Sequence, residues 1–177
     1  MLIVTAGLPG SGKSTIAEVV ANRLGLVLLS VDPIEAAILA AGIDPDQPTG
    51  LAAYLVAEKM AEAALTTGRG VIIDAVNAVE PAREQWMRLA AEQNTPIRFV
   101  EVVCSDPDLH RERLASRQHR LAHLAGSESH AVEQSLDEWE PWGVATGSVP
   151  RTTIDSARPL GVNVEQALKF LDIAPAG

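Results

Sequence analysis

The stretch Gly7-Leu8-Pro9-Gly10-Ser11-Gly12-Lys13-Ser14 carries the clearest chemistry in the sequence. It matches the pattern G-x-x-x-x-G-K-[ST] in full. The glycines let backbone N–H groups converge on anionic oxygens and form an anion-binding nest. A helix beginning near Lys13 adds the positive end of its dipole to the same phosphates. Lys13 supplies a point charge between the β- and γ-phosphates, and the Ser14 hydroxyl can ligate Mg²⁺. Residues Gly7 to Thr15 are therefore expected to hold the phosphates of ATP or GTP. The pattern does not say where the γ-phosphate goes: to water, to a small molecule, or nowhere, as in a switch.

Such a loop needs a strand before it and a helix after it, and both are legible. Leu2 to Ala6 is a short apolar run ended by Gly7, which predicts a buried strand. Ser14 to Leu24 places Ile16, Val19, Val20 and Leu24 at helical spacing, and Gly25 closes the helix. Further strands are predicted at Val27 to Leu29, Val71 to Asp74, Ile97 to Val103 and Arg151 to Ile154. Helices are predicted from Asp32, over Leu51 to Thr67, over Pro81 to Gln93 and over Val164 to Leu171. Ser105-Asp106-Pro107 is an N-cap signature opening a helix through Arg111, Arg113, Arg117 and Arg120. Ala122 to Ala131 mixes Gly, Ser and His and is expected to be mobile, with a short helix over Val132 to Glu138. Strands alternating with helices imply a parallel sheet covered on both faces, hence an α/β fold.

The bulk numbers set limits. With 177 residues, 47% of them hydrophobic, the chain suits one domain with a real core. Aromatics are only 3%, so Ala, Val, Leu and Ile must fill that core. The net charge of −9 argues against a partner such as long nucleic acid, which demands basic surface. Cys104 is the only cysteine, which excludes an intrachain disulfide and fits a reducing compartment. No apolar run approaches the ~20 residues of a membrane span, and no basic leader precedes the first strand. A cytoplasmic location without membrane attachment is the expectation.

Gly7 to Thr15, Ser30-Val31-Asp32, Val71-Ile72-Ile73-Asp74-Ala75-Val76-Asn77 and the spaced Arg113 and Arg117 together resemble a known group. They are similar to the small P-loop kinases of the zeta-toxin, chloramphenicol phosphotransferase and polynucleotide 5′-kinase type. The likeness extends from about Met1 to Leu171. It implies a three-layer P-loop NTPase fold, with a five-stranded parallel sheet, helices on both faces and a short lid. The whole of 1–177 would form one kinase domain, with the lid at about 113–147. The resemblance implies ATP and Mg²⁺ as cofactors and phosphate transfer to a hydroxyl of a small molecule, a metabolite or antibiotic. Asp32 falls on the family's general base, which accepts the hydroxyl proton as oxygen attacks phosphorus. Asp74 would orient Mg²⁺-bound water or the substrate, and Asn77 would hydrogen-bond the acceptor. Arg113 and Arg117 fall on the lid arginines, with Arg120 a further candidate for the nucleotide phosphates.

Plainer roles compete with these. An Asp before Pro33 also suits a helix cap, and the arginines also suit a solvated helix face pairing with Glu112. The sequence departs from polynucleotide 5′-kinases at Glu35, where those enzymes carry a basic residue for a substrate phosphate. A carboxylate there suits a neutral or cationic acceptor. The alternatives are a nucleoside, nucleotide or polynucleotide 5′-hydroxyl kinase, and a non-kinase ATPase or nucleotide switch. His110, His119, His123 and His130 offer no zinc-type spacing. Trp139 and Trp142 are expected to anchor by packing, Tyr54 and Met60 to pack on their helix, and Cys104 to be buried.

Overall fold

The computed structural model describes residues 1–125 and 139–171, with side chains for 1–116 and 139–171. Its strands are β1 (Leu2–Ala6), β2 (Val27–Ser30), β3 (Val71–Asp74), β4 (Ile97–Val103) and β5 (Arg151–Asp155). The helices are α1 (Lys13–Leu24), α2 (Val31–Ala40), α3 (Thr49–Thr66), α4 (Glu80–Glu92), α5 (Pro107–Ala125), the single turn α6 (Val144–Gly147) and α7 (Leu160–Leu171). The strands form one parallel sheet in the order β2-β3-β1-β4-β5. β1 is central, so the loop after it emerges at the C-terminal edge where connections diverge to either side. Ligands of open α/β sheets collect at that switch point.

Alternation along the strands assigns the two faces. Leu2 and Val4 point with Ile73 and Phe99 toward α3 and α4, which bury Ala53, Ala57, Ala61, Trp86 and Leu89. Ile3 points the other way with Ile72, Val100 and Ile154, toward Ile16, Val20, Ala167 and Leu171 of α1 and α7. Every residue of β1 is buried, as the fully covered central strand of a parallel sheet requires. The Ala53/Ala57/Ala61 stripe is i, i+4 spaced, so small side chains let α3 lie close on the sheet. The three-layer α/β architecture with five parallel strands is the one expected.

Differences lie at element ends. α2 begins at Val31 with Ser30 in the N-cap position, so Asp32 sits inside the first turn and does not cap it. α5 runs to Ala125, four residues into the segment expected to be mobile. The rest of that segment and the helix expected over Val132 to Glu138 lie outside the described residues, as does much of the lid. The turn α6 carries no periodic pattern and was not expected. Met60 is exposed on the outer side of α3, not packed. Among the described residues no helix is long and apolar enough to cross a membrane.

Candidate active site

The loop between β1 and α1 is shaped by three glycines in backbone conformations that L side chains rarely adopt, with φ of 154° at Gly7, 78° at Gly10 and 88° at Gly12. A Cβ at Gly7 would lie 2.3 Å from the carbonyl oxygen of Val102 in β4, and one at Gly10 would lie 2.9 Å from Leu114 Cγ. The loop is pinned from outside as well. Gly7 N donates to Val76 O at 2.9 Å, and His110 Nε2 donates to Pro9 O at 2.7 Å. Leu8 and Ser11 close the turn through Ser11 N to Leu8 O at 3.1 Å, and the Ser11 Oγ is buried with no partner among the described residues. Lys13 is 2% exposed at the start of α1, followed by Ser14 and Thr15 in the first helical turn. That turn leaves its N–H groups without intrahelical acceptors. Rigid, N–H-rich and carrying one buried ammonium, the cradle fits a polyphosphate.

The acidic side of the site is set by sheet register. Ser30 at the end of β2 pairs with Asp74 at the end of β3, and the Ser30 hydroxyl donates to Asp74 Oδ2 at 3.1 Å. Asp74 is 6% exposed, and its other oxygen has no hydrogen-bond donor among the described residues. A buried carboxylate oxygen left bare fits a hard cation. Mg²⁺ bound to phosphates needs only one or two protein carboxylates, so Asp74 with the Ser14 hydroxyl would suffice. Two residues past Ser30, Asp32 lies half-buried, and one turn on Glu35 accepts a hydrogen bond from the Thr49 hydroxyl at 2.9 Å. Tyr54 faces the same carboxylates. Burial pushes its phenol up to about 12, and the charges of Asp32, Glu35 and Asp74 add to that. Its oxygen accepts from Asn77 N at 3.1 Å.

Asn77 is not placed to meet an acceptor. It is fully buried with φ of 48°, its Nδ2 donates to Thr5 O at 2.7 Å, and its Oδ1 accepts from Trp86 Nε1 at 2.8 Å. With both amide groups spent inside the protein, its side chain holds the β3–α4 loop in shape. Arg83 takes over from there. Its buried guanidinium donates to the carbonyls of Asn77, Ala78, Glu140 and Pro141, and lies over the rings of Trp139 and Trp142 at 4.9 and 4.2 Å. Trp142 in turn meets Phe99 edge-on at 5.1 Å and donates to Glu101. The two tryptophans thus anchor the returning chain by packing.

On the other side of the loop, α5 brings Arg113 to Ser156. Its Nη1 donates to Ser156 Oγ at 2.7 Å and its Nη2 to Ser156 O at 3.2 Å. Together they wall a cleft of about 270 Å³ beside Gly10, Gly12 and Lys13. The cleft is also lined by Arg158 of the β5–α7 connection and by Leu160 and Asn163 of α7. Arg117 and Arg120 also belong to α5, but their side chains lie outside the described residues. Cys104, expected in the core, is half-buried one residue past β4, with its thiol on Asp106 O. No group of three or more His, Cys, Asp or Glu suited to a metal occurs among the described residues. The sequence reading missed Tyr54, Arg83, Ser156, Arg158 and Asn163, none of which belongs to a short contiguous pattern.

An uncharacterized protein of Mycobacterium tuberculosis is 29% identical over 178 aligned residues, which cover 94% of this chain and 34% of that protein. The chain therefore spans about a third of the length of the curated relatives it matches. Among solved structures, a sugar kinase from a Janibacter species superposes with a TM-score of 0.71 at 22% identity, covering 98% of this chain and 95% of that one. Kti12 of Chaetomium thermophilum, solved with ADP-AlF3, superposes at 0.75 and 20% identity, covering 100% of each chain. At these identities the likeness speaks for the fold. The family model described as an AAA domain matches residues 2–142, and the chain belongs to that family, on a P-loop kinase fold.

Proposed function

We propose that the protein transfers the γ-phosphate of ATP to a hydroxyl group of a small molecule. The observation that carries this reading is the pairing of β2 with β3, which sets Ser30, two residues before Asp32, beside Asp74 at the sheet's C-terminal edge. The Gly7–Val76 hydrogen bond ties that edge to the phosphate cradle. Hydrolysis alone would have no use for the acidic cluster of Asp32, Glu35 and Asp74 whose charges act on Tyr54. The sugar kinase neighbour supports the reading, whereas Kti12, solved with ADP-AlF3, supports nucleotide binding and fits the alternative of a non-kinase nucleotide switch.

In the proposed reaction the loop amides and Lys13 hold the β- and γ-phosphates. Mg²⁺, held by Ser14 and Asp74, would offset charge on the phosphate oxygens. The acceptor hydroxyl gives its proton to the Asp32 carboxylate as its oxygen bonds to the γ-phosphorus. The bond from that phosphorus to the β,γ-bridging oxygen breaks, and ADP leaves. Arg113, and the expected Arg117 and Arg120, would neutralise charge on the transferring group. Glu35 disfavours an anionic acceptor, so a neutral or amine-bearing alcohol fits best.

The test is transfer from γ-labelled ATP with Mg²⁺ to a panel of alcohols, comparing the wild type with Asp32→Asn. The panel spans sugars, aminoglycosides, nucleosides and a 5′-hydroxyl oligonucleotide. Acceptor-dependent transfer should fall by about 10²–10⁴ in the variant, with ATP affinity retained. Slow hydrolysis that ignores every acceptor and is equal in both proteins would overturn the reading in favour of a nucleotide switch.

A further inference from the structure

β1 and β3 pair as far as Val4 and Ile73, and beyond that point side chains continue the attachment. Thr5 Oγ1 accepts from Ala75 N at 3.4 Å, and Thr5 O accepts from Asn77 Nδ2 at 2.7 Å. Two residues further along β1's chain, Gly7 N donates to Val76 O at 2.9 Å. That carbonyl and the Asn77 N–H belong to one peptide group, and the N–H donates to the Tyr54 hydroxyl at 3.1 Å. A planar peptide held at both ends cannot rotate without breaking one of the two bonds. Asn77 therefore grips the chain on either side of Ala6, immediately before the phosphate loop. It does so once by its side chain and once by the peptide that precedes it.

The contacts dictate the residue type. The backbone φ of 48° lies in the left-handed region, which Asn enters more readily than most L residues. Trp86 Nε1 can only donate and Thr5 O can only accept. One planar group must therefore offer an acceptor to the first, at 2.8 Å, and a donor to the second. An amide does both, whereas an ionised carboxylate does only the first. Asn77 O accepts from Arg83 Nε at 2.8 Å, so each polar atom of this fully buried residue is engaged inside the protein.

We propose that Asn77 is a positioning residue for the nucleotide: it sets the direction in which the phosphate loop leaves β1, and Tyr54 supports it from α3 through the shared peptide. This rests on the reading that Gly7 to Ser14 hold nucleotide phosphates, and is independent of where the γ-phosphate goes. The loop amides grip phosphate only while they converge, so a change in the loop's direction weakens the ligand.

The experiment measures dissociation constants of ATP with Mg²⁺, alongside urea midpoints, for the wild type, Asn77→Ala, Asn77→Asp and Tyr54→Phe. Each variant is compared with the wild type at the same pH, from about pH 5.5 to about pH 8, the span over which a buried carboxyl titrates. Asn77→Ala should weaken ATP about tenfold or more at every pH. Asn77→Asp should match it at about pH 8 and approach the wild type at about pH 5.5, as the introduced carboxyl takes up a proton and donates to Thr5 O. Tyr54→Phe keeps the whole Asn77 side chain and should weaken ATP about three- to tenfold, so it carries the test if an Asn77 variant does not fold. Wild-type ATP affinity in the folded variants, with only the urea midpoints lowered, would overturn the assignment and leave the nucleotide reading standing. Weakening in Asn77→Asp alone would trace the effect to added charge and overturn it as well. Failure of the wild type to bind ATP would overturn the nucleotide reading itself.

Discussion

At the scale of single residues, Gly7 and Asp74 show how backbone and side chain divide the work. Gly7 has no room for even one carbon, because Val102 O lies 2.3 Å from where a Cβ would stand. That oxygen belongs to a central strand and cannot retreat. Gly7→Ala should therefore push the loop off the strand, lowering ATP affinity more than tenfold and stability by about 1–3 kcal/mol. Equilibrium binding and urea unfolding read the two effects separately. Asp74 illustrates the opposite economy, since one oxygen is fixed by Ser30 and the other left bare. The cradle was legible because its residues are contiguous and each type has one job. Tyr54 was not legible: its hydroxyl meets the β3–α4 loop from a helix of mixed composition, and nothing in its sequence neighbourhood marks that atom.

At the scale of elements, the segment returning after residue 138 is attached to α4 by reciprocal capping. Glu140 Oε2 accepts from Glu80 N at 2.8 Å, and the Glu80 carboxylate accepts from Thr146 Oγ1 and from Gly143 N. Burial pushes the Glu80 carboxyl upward, but the Thr146 hydroxyl, the Gly143 and Thr146 amides and Arg83 outweigh it and hold it below its ordinary 4.5. A carboxyl depressed on folding stabilises the native state in full above its unfolded value. That contribution is lost as pH falls through the lower folded value. Glu80→Gln should therefore flatten the acid limb of stability below about pH 4.5, measured as urea midpoints across pH, and lower stability at neutral pH. Arg83 secures the same junction through four carbonyls and two indole rings. Arg83→Met should cost about 3–5 kcal/mol, as loss of a buried, paired charge does. Arg83→Lys should recover little, because an ammonium lacks the planar fork. The order of strands and helices was legible from apolar runs and glycine stops. This junction was not, because its polar partners are 57–66 residues apart in sequence.

At the scale of the whole molecule, the nucleotide site is assembled from parts that fold far apart in sequence. β1 and α1 give the cradle, the ends of β2 and β3 with the first turn of α2 the carboxylates, and α5, the β5–α7 connection and α7 the rest of the cleft lining. Outside the sheet these parts are joined by individual hydrogen bonds such as Gly7 N to Val76 O and His110 Nε2 to Pro9 O, and the Arg113–Ser156 pair closes the wall itself. A ligand touching all three would therefore add links that the bare protein lacks. Since it binds only the folded state, ligand at 100 times its Kd adds about 2.7 kcal/mol of stability. For a chain of this size that corresponds to a rise in Tm of about 5–10 °C. ATP with Mg²⁺ should produce this shift in differential scanning calorimetry, and adenosine, which lacks the phosphates that the glycine-rich loop suits, should produce much less. Chelating the metal should remove part of the ATP shift in the wild type. It should remove less in Asp74→Asn, because that variant has already lost the carboxylate through which a metal would join β3 to the phosphates in the proposed reading. An ATP shift equal with and without Mg²⁺ in the wild type would separate nucleotide binding from Asp74 and return that residue to a purely structural place at the end of β3.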